Sequence, residues 1–175
     1  MKMIKGLINN ISMIYSDRTD VSPYGFCYSP MLVTPVERWE KKQFKVTLGL
    51  DDHDEVEPFF QHINMFHAEC EDIWQTKVTN NLIYRSFSGN PYATFYQLDK
   101  GQGPVKCYDD DGHPVEPPID GDRIQVYYTL GAWYNEKENK AGLKLYLDSV
   151  VVMIRSGTPK TEKLIHEDDC DDGEW

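Results

Sequence analysis

The sequence predicts a mainly β domain carrying one inserted α-helix. Three observations lead there. Period-two alternation of apolar residues recurs in short segments along most of the 175 residues. Turn-forming clusters separate those segments. Only one stretch shows the 3.6-residue spacing of an amphipathic helix.

In chain order, residues 28–33 form a weak strand and Phe44-Lys45-Val46-Thr47-Leu48 a clearly alternating one. Residues 54–74 follow as the helix, with Val56, Phe59, Phe60, Ile63, Phe66, Cys70, Ile73 and Trp74 on one stripe. Asp52 or Asp54 caps its start, Pro58 fits its first turn, and Glu55 and Glu57 complement its positive end. Weaker strands come next at residues 81–87, 92–98 and 105–108, then clear ones at 123–130 and 143–147, and a short apolar run at 150–154. Turn clusters fall at 88–91, 100–104, 109–112 and 135–142. Several short strands around one helix suit a five-stranded barrel of the oligonucleotide/oligosaccharide-binding (OB) type, spanning residues 1–156.

The remainder, residues 157–175, begins at a Gly157-Thr158-Pro159 break and reads as a flexible, disordered acidic tail ending in Trp175. The chain is long enough for one well-buried core and short for two. Its best early apolar stretch, residues 3–14, is broken by Lys5, Asn9, Asn10 and Ser12, which disfavours a membrane span or a signal peptide and points to the cytosol. Cys27, Cys70, Cys107 and Cys170 show no CxxC spacing and read as reduced thiols.

The net charge of −11 comes from 29 acids against 18 bases and argues at first against nucleic acid. The charge is segregated, however. Residues 51–72 hold −8 and residues 166–175 hold −6, so the other 143 residues stand at +3. A basic face is therefore compatible with the acidic total. The tail acids Glu167, Asp168, Asp169, Asp171, Asp172 and Glu174 can serve solubility alone, but a terminal Trp175 among carboxylates is better suited to docking in a basic, apolar-floored groove.

Alternation assigns faces. Ile124, Val126, Tyr128, Leu130, Leu143, Leu145 and Leu147 point inward, while Gln125, Tyr127, Lys144 and Tyr146 point outward. Aromatic rings beside cations on an exposed strand are what single-stranded nucleic acid requires, since rings stack on bases and cations follow phosphates. The loop after Gly131 adds Trp133 and Tyr134, followed by Lys137 and Lys140. Trp39 with Lys41 and Lys42 leads into outward-facing Lys45, and Tyr84, Arg85 and Phe87 form a third group. Core packing explains many single aromatics, and a solvated turn explains Lys41 and Lys42 equally well. Trp133 and Tyr134 stand out because a turn has no structural need of two large rings.

Asp51, Asp52, His53 and Asp54 are explained as a helix start, and His62, His67 and Cys70 lack ligand spacing, so neither a metal nor another cofactor is expected. No Ser/His/Asp arrangement, phosphate-cradling glycine loop or HxE…CxxC signature marks an enzyme.

Three segments carry a resemblance: Tyr108-Asp109-Asp110-Asp111-Gly112, then Pro118-Ile119-Asp120-Gly121-Asp122-Arg123, then Gly142-Leu143-Lys144-Leu145-Tyr146-Leu147. With the acidic, aromatic-ended tail, they resemble the OB-fold single-stranded DNA (ssDNA)-binding proteins of tailed-bacteriophage replication systems. The resemblance implies a non-enzymatic protein that coats and protects ssDNA without sequence preference in phage DNA replication, recombination and repair, in the cytoplasm of the infected host. It further implies a tail that docks replication proteins such as DNA polymerase or helicase-primase and competes with DNA for the groove. It places Trp133 at a base-stacking position and Lys144 at a lysine of the last long strand. The combined expectation is stacking by Trp133, Tyr134, Tyr127, Tyr146 and Trp39, with phosphate contacts from Lys144, Lys45, Arg85, Lys140 and Lys42. No membrane partner is expected, and a homodimer is compatible. The alternative is an acidic interaction protein, a DNA mimic inhibiting a host nucleic-acid enzyme, with residues 51–57 and 109–111 as its charged surface.

Overall fold

The computed structural model describes residues 2–5, 11–38, 41–50, 53–85 and 90–156. The expected tail, Asp52 and Trp39 lie outside the described residues, and Asp54, the other expected cap, is the second residue of the helix His53–Trp74.

Five strands close a ring of OB type. They are β4 (Gly25–Arg38), β5 (Lys41–Leu50), β7 (Pro91–Leu98), β10 (Lys140–Ile154) and β9 (Arg123–Asn135), paired in that order. The ring shuts where Gly25 and Phe26 of β4 meet Ile124 and Arg123 of β9. Every pairing in it is antiparallel except β7 with β10, which run parallel through Tyr96 and Tyr146. Short strands extend the ring. β1 (Lys2–Lys5) pairs with β2 (Ile11–Tyr15), β2 and β3 (Asp20–Val21) pair with β9, β6 (Ile83–Arg85) pairs with β7, and β8 (Cys107–Tyr108) pairs with β10.

The inward face follows the predicted alternation. Phe44, Val46 and Leu48 meet Phe95, Ile124, Val126, Tyr128, Leu130, Leu143 and Leu145 in one core cluster. Helix α1 (His53–Trp74) lays Val56, Phe59, Ile63, Phe66 and Cys70 against that core. Phe59 meets the Tyr128 ring edge-on at 5.5 Å, which seats the helix against the ring. The helix stops at Gln75, whose φ of 52° is a left-handed position after the last turn. Its end is tied down by Glu71, whose carboxylate accepts the Val78 N–H at 2.9 Å. Among the described residues no helix is long and apolar enough to cross a membrane.

Several boundaries differ from the sequence expectation. Pro58 is the sixth residue of α1 and therefore lies past its first turn. The apolar stretch at residues 3–14 supplies strands β1 and β2, the latter paired along β9 from Asn135 to Gly131. That pairing keeps β9 extended through Asn135, so the turn before β10 is only residues 136–139, pinned by the Asn135 carboxamide oxygen accepting the Lys137 N–H at 3.1 Å. The segments at 143–147 and 150–154 are one strand, broken in register between Leu147 and Ser149. This bulge moves the outward side of β10 from Lys144 and Tyr146 to Ser149, Val151 and Met153. Cys27, Cys70 and Cys107 are free and buried, and burial pushes the Cys107 thiol up to about 11, so it stays protonated. Cys170 lies outside the described residues.

Candidate nucleic-acid interface

Because β-strand side chains alternate, the strands that fill the core also build an outer face. Across β10, β7 and β5 the register sets Tyr146 beside Tyr96 and Tyr96 beside Lys45. One step along, Thr94 and Thr47 join through their hydroxyls at 2.9 Å, and Tyr28 lies opposite Thr47. A further step brings Tyr84 stacked on Tyr92 at 5.8 Å, then Gly49, Phe26 and Arg123, whose guanidinium sits 4.8 Å above the Phe26 ring. At the other end Tyr15 of β2 contacts Tyr146 at 5.4 Å. The result is a continuous band of rings interleaved with cations.

Lys144 is the cation best held in this band. Its ammonium donates to the Gln43 carboxamide oxygen at 3.3 Å and stands 5.1 Å from the Tyr96 ring centre and 5.9 Å from that of Tyr146. It is only 3% exposed. Three rings pack closely against glycines of a neighbouring strand: Tyr28 on Gly49, Tyr146 on Gly131 and Trp133 on Gly142, each where a Cβ would collide with the ring. Glycine permits this close approach.

These positions correct several expectations. Trp133 is not at an exposed turn. It lies within β9, opposite Gly142 and Met13, and is 4% exposed. Tyr134 points to the opposite side, where it packs on Trp74 at the end of α1 at 5.5 Å, so the two adjacent rings face opposite sides of the sheet. Lys144 faces outward in register, as alternation requires, but it is buried rather than open to solvent. Tyr127 is exposed on the outer side of β9 but past the β10 bulge, in a groove shared with Asp109 and Asp110; Arg123 stands two outward positions along the same strand but does not line that groove. Lys45 is half-buried within the band, Lys140 is exposed on the same side beside the hairpin turn, and Lys42 belongs to the opposite side of β5. Trp39, the Arg85 side chain and the tail residues Glu167 to Trp175 lie outside the described residues. Reading outward positions strand by strand did not single out Tyr96, Tyr28, Tyr92 or Arg123, because only the closed ring brings them to one face.

The acidic triplet has a structural role. Asp109 Oδ1 accepts N–H groups from Asp111 at 3.0 Å and His113 at 2.9 Å, closing the turn after β8. The His113 N–H bond, with smaller help from Asp111 and the His113 ring, holds the Asp109 carboxyl below its usual value. Asp122 fastens the end of the ring. Its carboxylate accepts from Ile119 N at 2.9 Å, Ser156 N at 2.9 Å and the Arg155 guanidinium at 3.2 Å.

No family model and no curated protein sequence matches the chain. Solved structures do. The ssDNA-binding protein gp2.5 encoded by bacteriophage T7 is similar with a TM-score of 0.65 and 17% identity, over 80% of this chain and 93% of that one. The ssDNA-binding protein from bacteriophage Enc34, in complex with ssDNA, gives a TM-score of 0.62 and 14% identity, over 91% of this chain and 99% of that one. Another structure of the Enc34 protein gives 0.53 and 14%, over 95% and 94%. The chain thus has the OB-type fold of phage ssDNA-binding proteins.

Proposed function

We propose that the chain is a non-enzymatic protein that binds ssDNA without sequence preference across the outer face of β4, β5, β7, β9 and β10. The observation that carries this is the band of Tyr146, Tyr96 and Tyr28 interleaved with Lys144, Lys45 and Arg123, on the fold just compared. Ring faces are sequence-tolerant platforms because every base has a π-face, and the interleaved cations follow the backbone. In this reading Tyr146 and Tyr96 stack on bases, with Trp133 at the hairpin end. Lys45, Lys144, Arg123 and Lys140 take the phosphates. Stacking and phosphate contacts do not depend on base identity, which fits a protein that coats ssDNA and protects it during phage replication, recombination and repair in the host cytoplasm.

The acidic tail is assigned two roles, docking replication proteins such as DNA polymerase or helicase-primase and competing with DNA for the band. One feature supports the competition. The strand that leads to the tail, β10, ends at Ile154 opposite Arg123, at one edge of the band. From there the 19 residues of 157–175 reach up to about 60 Å when extended.

Titrating the full chain and a form ending at Ser156 with oligo-dT, read by tryptophan fluorescence at several salt concentrations, tests both parts. Binding that falls steeply with salt and is tighter in the shortened form is expected. Weaker binding by the shortened form rejects the competitor role alone, and no binding by either form rejects the ssDNA reading.

A further inference from the structure

We propose that the groove walled by Tyr127, Tyr108 and Tyr24 is a second interaction site, which takes a basic, apolar-anchored peptide segment of a partner protein. The inference does not depend on the ssDNA reading. The groove encloses about 460 Å³ between β8, β9 and the part of β10 past the bulge, with Val151 and Met153 as its apolar lining. Tyr127 is 39% exposed, and Val21, directly across the β3–β9 register, is 46% exposed, so the apolar surface continues beyond the groove. Exposed Tyr127 and Val21, with half-buried Tyr24, Tyr108 and Met153 around them, mark a contact surface rather than scattered exposure.

Charge selects the occupant. Asp109 and Asp110 stand on the rim, and neither lysine nor arginine lines the groove. The rim is built in, since Asp109 is fixed by the N–H groups of Asp111 and His113. Phosphates and the chain's own acidic tail are repelled there, whereas lysine or arginine side chains flanking an apolar anchor are attracted. The volume suits one or two large side chains, as expected for a pocket that captures the anchor of a peptide.

The test uses the full chain, isotope-labelled for nuclear magnetic resonance, and three probes: a peptide of about ten residues of lysine and leucine around one tryptophan, its glutamate counterpart, and oligo-dT. The basic peptide should shift the resonances of Tyr127, Val151 and Met153, and the glutamate peptide should not. Tyr127→Ala should weaken the basic peptide about tenfold or more, as loss of an aromatic anchor does, while leaving oligo-dT affinity unchanged. Asp110→Lys, at an exposed position that holds no hydrogen bond of the turn, should weaken the basic peptide without altering the fold. Three results overturn the proposal: loss of oligo-dT affinity in Tyr127→Ala, peptide shifts confined to the Lys45 and Tyr146 face, or concentration-dependent shifts in the groove of the free protein. The first returns Tyr127 to the DNA face, and the last assigns the groove to a second copy of the chain.

Discussion

The β9–β10 hairpin carries two outward-facing patches that share strands but differ in chemistry. Before the bulge, Lys144 and Tyr146 stand beside Tyr96 and Lys45. After it, Tyr127, Val151 and Met153 stand beside Asp109 and Asp110, while Arg123, opposite Ile154, sits over the Phe26 ring and does not line the groove. Both patches present tyrosines. The charge next to them decides which ligand each can accept, because a ring binds any flat or apolar partner and the neighbouring ions set the sign. The difference between the halves is therefore a stronger functional signal than the 22 aromatic residues of the whole chain.

The most severe way to break the comparison is to remove what the halves share. Leu145 lies between Lys144 and Tyr146 but points into the core at 1% exposure. Leu145→Ala should cost about 2–5 kcal/mol of stability through the cavity it leaves. Denaturant unfolding should show that loss, and both patches should fail together. A variant that keeps its stability would mean the core is less tightly packed around β10 than the burial indicates. Next in size, Tyr146→Ala should reduce oligo-dT affinity by about 1–3 kcal/mol and leave the groove around Tyr127 unaffected. Equal affinity of variant and parent in a fluorescence titration would remove Tyr146 from the stacking set.

How far these halves were legible follows from which residues set them. Inward positions such as Ile124, Val126, Leu130, Leu143 and Leu145 were readable because period-two alternation is local. The bulge between Leu147 and Ser149 was visible only as a change of phase, which in isolation looks like the end of one strand and the start of another. Gly131 and Gly142 resemble loop residues in sequence, yet in the fold they are the seats of the Tyr146 and Trp133 rings. That role depends on a partner strand, as does the contact of Lys144 with Gln43, 101 positions away. Trp133 was misplaced for the same reason: β2 holds β9 extended there, and no local pattern announces that pairing.

A smaller effect separates the halves by charge alone. Lys45→Ala should lower the dependence of oligo-dT affinity on salt by about 0.7 in the log–log slope, the share of one phosphate contact to a single strand. The same plot for Asp110→Lys should keep at least the parent slope, because that residue belongs to the acidic half. An unchanged slope in Lys45→Ala would move the phosphate path away from β5.

The smallest expected effect is a pH response confined to the end of β10. Asp122 is fully buried, and burial alone would raise its carboxyl pKa. The N–H groups of Ile119 and Ser156 and the Arg155 guanidinium outweigh that cost, so its pKa is lowered in the fold. A lowered folded-state value means that the carboxylate stabilises the protein above the ordinary aspartate pKa of about 3.9, and that this contribution is lost as pH falls through the lower folded value. The loss should be local, because the carboxylate ties Ser156 and Arg155 to the loop ahead of β9. Hydrogen exchange in acid should then open residues 150–154 before residues 143–147, and Asp122→Asn should flatten that difference while lowering stability near neutral pH. Simultaneous opening of both segments in the parent protein would show that the two halves of β10 melt as one unit, and that the clamp at Asp122 does not set the stability of the half that carries the Tyr127 groove.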